Sequence, residues 1–227
     1  MMQTMINMVA TRQKAGQPAE LLRWYNDHVT LLMGFEDLAS ANLYRCTSLD
    51  IAAPEYVCLY DFPSLAAFDA FEASQAKERA RQVMASGWGK QSIEVLQRSQ
   101  YLTGGKRMGP TASPEQGVHI QCLDVTPGPA QAAHQAAHQA AHEADDFRRW
   151  MSDSLYVAAA RTGVNNYAWY ASLDQQQVIV LASTSTTIDP AWRSWWDLPA
   201  SDPLGIAPSA ITAHWQAGYQ HLSAWYR

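Results

Sequence analysis

One order of secondary structure, predicted twice along the chain, constrains the fold more than any other feature of the sequence. The order is strand, helix, strand, strand, helix, strand, which is typical of a ferredoxin-like unit of about 100 residues. Alternating apolar residues predict the strands, and apolar residues at helical spacing predict the helices. In the first copy we predict strands at 4–12, 41–49, 55–61 and 92–103, and helices that begin near Pro18 and Pro63.

The same order begins again after a segment rich in Gly, Pro and Ser. Its strands are predicted at 118–125, 166–172, 177–183 and 211–226, with a long helix at 127–162 and a short Trp-rich helix from residue 189. The pattern Arg-Trp-x-x-Asp at 23–27 recurs at 149–153, which favours a duplication. We therefore predict a first repeat at 1–103, a linker at 104–116 and a second, degenerate repeat at 117–227.

A ferredoxin-like sheet carries its helices on one face, so its other face must be covered by something else. A second copy of the same unit is the natural cover. The predicted fold class is α+β, with two tandem ferredoxin-like repeats packed sheet to sheet as a pseudo-dimeric α+β barrel within one chain.

Charge and composition exclude several classes of protein. The chain has 227 residues with a net charge of −5, so no overall positive field attracts nucleic acid or anionic lipid. No apolar run is long enough to span a membrane, and the start lacks a secretory signal pattern. Cys46, Cys58 and Cys122 form no CxxC pair, and we interpret them as reduced thiols. We expect a cytoplasmic protein without a nucleic acid or membrane partner.

The first predicted helix places a histidine among apolar residues. Leu21, Tyr25, His28 and Leu32 fall at i, i+4, i+7 and i+11, so all four lie on one stripe of the helix. A histidine that opens onto a cavity can remove a proton from a carbon acid or a lactone. The alternative is a core histidine that is satisfied by a neighbouring carbonyl or carboxylate.

The predicted hairpin supplies a second group of candidates. Strand alternation puts Asn42, Tyr44 and Cys46 on one face of the first strand, and Tyr56 lies on the partner strand. With Tyr25 from the helix, Asn42, Cys46 and Tyr56 could orient a ligand, while aromatic packing between two sheets is the alternative for Tyr56.

Four stretches of the first repeat resemble the EthD-like family of the dimeric α+β barrel superfamily. They are Trp-Tyr-Asn-Asp-His-Val at 24–29, Gly-Phe at 34–35, Leu-Tyr-Arg at 43–45 and Tyr-Val-Cys-Leu-Tyr at 56–60. The resemblance implies a ferredoxin-like fold, a small cavity between helices and sheet, and a site at His28 and Tyr44. It implies no single reaction, because relatives in the superfamily include lactone isomerases, polyketide cyclases, cofactor-free monooxygenases and haem-dependent enzymes.

The alignment of the two repeats assigns the site to the first. Ser154 stands where the first repeat has His28, and Ala168 stands near the place of Tyr44. Only the first repeat keeps the pair, so we expect the first repeat to carry the activity and the second to complete the barrel. The alternative is that both pockets are inactive and His28 is a remnant.

A histidine repeat and a tryptophan cluster are specific to the second repeat. His134, His138 and His142 stand four residues apart in an Ala- and Gln-rich helix, where two neighbours could hold a weakly bound transition metal. A solvated extension of the helix is the favoured interpretation, so we expect no metal. The tryptophans at 192–196 are expected to seal the core, or alternatively to contact a second subunit in a homodimer.

The sequence thus predicts an EthD-like protein whose His28 acts as general base and whose Tyr44 acts as hydrogen-bond donor. The substrate would be a small aromatic, lactone or polyketide-like compound, turned over by an isomerase, cyclase or monooxygenase without a cofactor. No phosphate loop, nucleophile elbow or zinc signature occurs. The alternatives are a protein that binds a small ligand without catalysis, and a haem protein in which His28 is the ligand.

Overall fold

The computed structural model describes residues 4–47, 52–85, 87–107, 117–126, 140–162, 164, 166–174, 176–184 and 210–227. The chain divides into two compact units. Unit 1 comprises Met1–Leu102 and Tyr219–Arg227, and unit 2 comprises Thr103–Gly218. The N-terminal unit therefore includes the last nine residues of the sequence.

Unit 1 contains strands and helices in the predicted order, with one helix divided and one short helix added before the last strand. Its elements are β1 (Met5–Gln13), α1 (Pro18–Leu32), β2 (Ser40–Cys46), β3 (Tyr56–Phe62), α2 (Leu65–Glu72), α3 (Gln75–Ala85), α4 (Trp88–Ser92) and the first part of β4 (Ile93–Arg107). Two serines account for the division. Ser64 Oγ accepts a hydrogen bond from Ala67 N and Ser74 Oγ accepts one from Lys77 N, both at 3.1 Å, so α2 and α3 each begin at a capping serine.

Unit 2 contains β5 (Gly117–Thr126), α5 (Ala140–Thr162), β6 (Asn166–Ser172), β7 (Gln177–Thr184) and the first part of β8 (Ala210–Tyr226). Within unit 1, β1 pairs with β3 and β4, and β2 pairs with β3 and β8. Within unit 2, β7 pairs with β5 and β6. Every pairing in which the register is defined is antiparallel. The expected α+β class is confirmed at this level, while the division into two ferredoxin-like repeats stays a prediction.

Strand alternation separates the two faces of the sheet in unit 1. Tyr56, Cys58 and Tyr60 of β3 belong to one buried core with the helices. Leu43 of β2 lies opposite Cys58 and joins the same core. Because Tyr44 follows Leu43, its side chain leaves the sheet on the face away from the helices.

The core of unit 2 is built around one indole ring. Trp169 of β6 is fully buried and packs with the α5 residues Phe147 and Met151. A Cβ on Gly104 would lie 2.3 Å from the ring of Trp169, so a side chain at this point of β4 would displace the indole. Strand β4 continues through Gly104 to Arg107, past the residue at which we expected the first repeat to end.

Several sequence predictions lie outside the described residues. They are the short Trp-rich helix that starts at residue 189, most of the linker at 104–116, and the histidines at 134 and 138. His142 lies in α5, but its side chain is outside the description. None of the helices that the structure describes combines the length and the apolar character needed to cross a bilayer.

Candidate functional site

Unit 1 contains a cavity of about 220 Å³ between the helices and the sheet. Helices α1, α2 and α3 form one side of the cavity, and strands β1, β3 and β4 form the other. The lining residues are Asn7, Val9, Thr11, Trp24, Tyr25, His28, Leu32, Tyr60, Phe71, Glu72, Lys77, Ala80, Arg81, Met84, Ile93, Val95 and Arg98.

The local sequence explains why these side chains meet. In β1, alternate residues Asn7, Val9 and Thr11 point toward the helices. Helix α1 begins with Pro18 in its first turn, and Gln17 N donates to Glu20 Oε2 at 2.7 Å, which fixes where the helix begins. From that start, the apolar stripe of α1 turns toward the sheet and places one edge of the helix at the cavity.

His28 has the most distinctive environment in the cavity. Its ring stacks on the ring of Trp24 with a centroid separation of 4.6 Å and an interplanar angle of 14°. Its Nδ1 is buried and has no hydrogen-bond partner among the residues that the structure describes. Burial, and then the positive charges of Lys77 and Arg98, lower the pKa of His28 to about 4. His28 is therefore neutral at pH 7 and can accept a proton.

The position of Trp24 depends on a glycine. A Cβ on Gly89 of α4 would lie 2.7 Å from the indole Nε1 of Trp24. The backbone of α4 therefore lies directly against the indole, and the indole in turn supports one face of His28. Gly89 thus positions the stacked pair without touching the histidine itself.

The charges around the cavity leave one cation unneutralised. Lys77 Nζ lies 2.6 Å from Glu72 Oε1, so these two charges compensate each other. Arg81 Nε lies 2.8 Å from Glu78 Oε2, which compensates a second pair. Within the described part of the chain, Arg98 forms neither an ion pair nor a hydrogen bond, and it lines the cavity as an exposed side chain.

The phenols at the cavity act only as hydrogen-bonding groups at neutral pH. Tyr25 OH and Thr11 Oγ1 are 2.8 Å apart and buried. Burial raises the pKa of both Tyr25 and Tyr60, and it raises the pKa of the adjacent Cys58 thiol to about 12. None of the three is an anion at pH 7, so His28 is the candidate base.

A buried amide completes the set of polar groups. Asn7 is 3% exposed, and its Oδ1 has no hydrogen-bond partner among the described residues. A buried acceptor without a donor is rare in folded proteins, because leaving it unpaired costs about 1–3 kcal/mol. A hydroxyl or amine of a bound ligand would satisfy it.

The structure places two of the six predicted site residues at the cavity, His28 and Tyr25. Tyr44 lies on the face of the sheet away from the helices, where its ring centroid is 5.3 Å from that of His221. Asn42 and Cys46 alternate with core residues and share that face.

Tyr56 faces the helices but does not line the cavity. It is buried within the hydrophobic core of unit 1, and its side chain is 1% exposed. Burial raises the pKa of this phenol above its ordinary value, so Tyr56 also stays protonated at neutral pH.

Asn7 and Arg98 are among the cavity residues that the sequence did not predict. For Asn7 a signal existed, since it stands at an inward position between Met5 and Val9 in a strand that is otherwise apolar there. Arg98 gave no such signal, because the strand β4 carries several polar residues and a bulge shifts its register opposite Ala10 and Thr11.

Among the residues that the structure describes, no three histidine, cysteine, aspartate or glutamate side chains group as metal ligands. The side chains of His134, His138 and His142, which were the alternative to the expectation of no metal, lie outside the described part of the chain.

Comparison with known proteins identifies a fold. No family model and no curated protein sequence matches the chain. Solved structures do match. A "putative monooxygenase" from Fusobacterium nucleatum subsp. nucleatum has a TM-score of 0.58 at 9% identity, covering 100% of this chain and 95% of its own.

Two further neighbours have other names. An anthrone oxidase-like protein has a TM-score of 0.57 at 10% identity, with 99% of this chain and 92% of its own covered. A mutant chlorite dismutase from Candidatus Nitrospira defluvii has a TM-score of 0.58 at 10% identity, with 97% and 92% covered. These neighbours are of the dimeric α+β barrel superfamily, so the expected fold is confirmed at that level, while the EthD-like family stays a prediction.

The neighbours correct one sequence prediction. We expected no cofactor, but the matching structures include chlorite dismutases, which are haem-binding proteins. The expectation that this chain works without a cofactor is therefore contradicted by its structural neighbours. The resemblance at low identity concerns the fold, and the side chains of this chain decide whether a haem fits.

The cavity of unit 1 does not fit a haem. Its volume of about 220 Å³ is below the roughly 300–1,000 Å³ of pockets that hold drug-sized ligands, and a tetrapyrrole is large within that class. One face of the His28 ring is also covered by Trp24. The size and the aromatic walls match a compound with a single ring.

Proposed function

We propose that this chain is an EthD-like protein of two tandem ferredoxin-like repeats, and that unit 1 moves a proton on a small aromatic, lactone or polyketide-like compound. The observation that carries the proposal is the buried Nδ1 of His28, which has no described partner at the edge of a cavity. A ligand would supply that partner. The names monooxygenase and anthrone oxidase-like, given to structural neighbours, are compatible with oxidative or isomerising chemistry.

In this proposal His28 acts as the general base. The neutral imidazole removes a proton from an activated C–H or O–H group of the substrate. Because burial, and then the charges of Lys77 and Arg98, disfavour a positive charge on His28, its protonation is favoured when the substrate gains negative charge at the same time. Proton transfer and the formation of the substrate anion are thus coupled.

The hydroxyl pair of Thr11 and Tyr25 is the candidate hydrogen-bond donor. One hydroxyl donates to the other across 2.8 Å, and the remaining hydrogen is available to an oxygen of the substrate. A fixed donor in a water-poor site stabilises a developing oxyanion more than it stabilises a neutral carbonyl. The stack of Trp24 on His28 holds the base in one orientation while this happens.

A non-catalytic binding protein is the second candidate, and the lowered pKa of His28 favours it. A base with a pKa of about 4 is weak at pH 7, where the best general bases have pKa values near the working pH. A protein that only holds its ligand needs His28 as a hydrogen-bond acceptor and no more.

Hydrogen exchange separates the two functions. The aromatic lactone 2-coumaranone carries an acidic ring methylene, and its exchange with D2O is followed by NMR with and without protein. We expect the wild type to accelerate exchange by about 10²-fold or more, and His28→Gln to abolish the acceleration. His214→Gln, in unit 2, is the matched control and should keep it. Equal rates for wild type and His28→Gln would contradict the catalytic proposal.

A further inference from the structure

Besides the buried indole Nε1 of Trp24, two groups at the cavity of unit 1 are not explained by proton transfer at His28. Arg98 is a cation without an ion-pair partner among the described residues, and Asn7 Oδ1 is a buried acceptor without a donor. A ligand that satisfies both must carry a negative charge and a hydrogen-bond donor. These requirements restrict the chemistry of the ligand beyond its size.

Strand register fixes the relation between these two groups. Arg98 of β4 lies opposite Val9 of β1, and Asn7 is the next residue of β1 on the same face. Diagonal neighbours across an antiparallel pair are about 7–8 Å apart, which suits the two ends of one small ring compound. Arg98 is exposed whereas Asn7 is buried, so the charged end of the ligand faces the opening and the donor end faces the floor.

Apolar and aromatic side chains make up much of the remaining cavity lining. They include Val9, Tyr60, Phe71 and Met84. Aromatic side chains pack favourably against a flat ring, and the thioether of a methionine adapts to its edge. The middle of the ligand is therefore expected to be an aromatic ring with no polar substituent besides the two groups at its ends.

We propose that the ligand of this cavity is a hydroxylated aromatic carboxylate. Its carboxylate binds the guanidinium of Arg98, and its hydroxyl donates a hydrogen bond to Asn7 Oδ1. The inference uses the binding site of the proposed function, but it does not require that His28 transfer a proton.

Isothermal titration with four one-ring probes tests the inference. The probes are 3-hydroxybenzoate, 4-hydroxybenzoate, benzoate, which lacks the hydroxyl, and 4-hydroxybenzamide, which lacks the charge. We expect a hydroxybenzoate to bind at least tenfold more tightly than either of the last two, since hydrogen bonds to a charged group contribute more than neutral ones. The preferred isomer of hydroxybenzoate reports the distance between the guanidinium of Arg98 and Asn7 Oδ1.

Two variants assign the contacts. Arg98→Gln should reduce hydroxybenzoate affinity about 10- to 100-fold and leave that of 4-hydroxybenzamide unchanged. Asn7→Leu should remove the advantage of hydroxybenzoate over benzoate. Arg79→Gln is the matched control, because Arg79 bonds to Gln75 on α3 and does not line the cavity. Arg98 is exposed, so its variant is expected to fold even if Asn7→Leu does not.

The outcomes distinguish this inference from the proposed function. Binding of 4-hydroxybenzamide as tight as that of 4-hydroxybenzoate, or an equal loss in Arg79→Gln and Arg98→Gln, would overturn the inference. Exchange of 2-coumaranone that depends on His28 would still stand in that case. The converse outcome is hydroxybenzoate binding that depends on Arg98 while the protein does not accelerate the hydrogen exchange of 2-coumaranone. That result supports the inference and contradicts the proposed proton transfer by His28.

Discussion

In unit 1 the space between helices and sheet holds a cavity, whereas in unit 2 the ring of Trp169 occupies the space between α5 and the strands. Phe147 of α5 meets that ring edge to face, with centroids 6.4 Å apart. On α1 of unit 1, His28 and Trp24 stack instead at the rim of an open volume of about 220 Å³. Trp169 is thus the candidate for the residue that distinguishes the core of unit 2 from the cavity of unit 1.

The largest effect expected from this comparison follows from removing the indole. Trp169→Ala should lower the free energy of unfolding by about 3–5 kcal/mol, because the side chain is fully buried and leaves a cavity. Urea denaturation measures the change, with Trp88→Ala in unit 1 as a control, since Trp88 is only partly buried. A loss below about 1 kcal/mol would show that the core of unit 2 does not depend on Trp169.

Ligand binding to the same variant also tests the difference between the two units. Free indole added to Trp169→Ala should occupy the new cavity and raise the melting temperature with concentration. Wild type should show no such shift from unit 2, where the ring is already in place. A shift of equal size in both proteins would place the binding elsewhere.

Acid should destabilise unit 1 through His28. The folded pKa is about 4 and the ordinary value is 6.5, so between these values the unfolded chain binds more protons. Stability therefore falls as the pH falls from 6.5 to 4, by roughly 3 kcal/mol for a shift of this size. Urea titrations of His28→Leu should show this part of the pH dependence removed, while His214→Gln should retain it.

A smaller effect is expected from the buried hydroxyl pair beside His28. Tyr25→Phe should cost about 1 kcal/mol, because it leaves Thr11 without the partner at 2.8 Å. The double variant Tyr25→Phe/Thr11→Val should regain part of this loss, since neither polar group then remains unpaired. Additive losses in the double-mutant cycle would mean that the two hydroxyls do not interact.

The smallest effect is expected at the serine of α5 that aligns with His28 in sequence. Ser154 is 5% exposed, and its Oγ has no hydrogen-bond partner within the described residues. Ser154→Ala should therefore leave the free energy of unfolding unchanged or raise it by about 0.5 kcal/mol, aided by the helix propensity of alanine. A loss above 1 kcal/mol would reveal a polar contact at this position.

Periodicity predicted the elements of unit 1 best where one face is buried, as in β2, which alternates, and α1, which buries one stripe. The hairpin of β2 and β3 and the stripe on α1 follow directly from it. The helix caps were harder to predict from the sequence. The division between α2 and α3 depends on Ser74, whose role as a cap competes with an apolar pattern that continues across it.

The site was only partly predictable for a different reason. His28 and Tyr25 share a helix with the apolar stripe, so their inward position follows from spacing alone. Arg98 reaches the cavity through a strand pairing that contains a register shift, and spacing along one strand does not reveal such a shift. Likewise, Gly104 and Gly105 resembled a flexible linker because the sequence does not show that Trp169 lies against them.

The division of the chain into units has a consequence for protein synthesis. In unit 1 the strand β2 pairs with the end of β8, as Asn42 lies opposite Ala224, and Arg227 bonds to Met33 O through its side chain. These partners are separated by more than half of the chain. The ribosome therefore releases the first hundred residues long before their sheet can be completed. During that interval the edge of β2 is an unpaired strand, which is a site where nascent chains aggregate and chaperones bind.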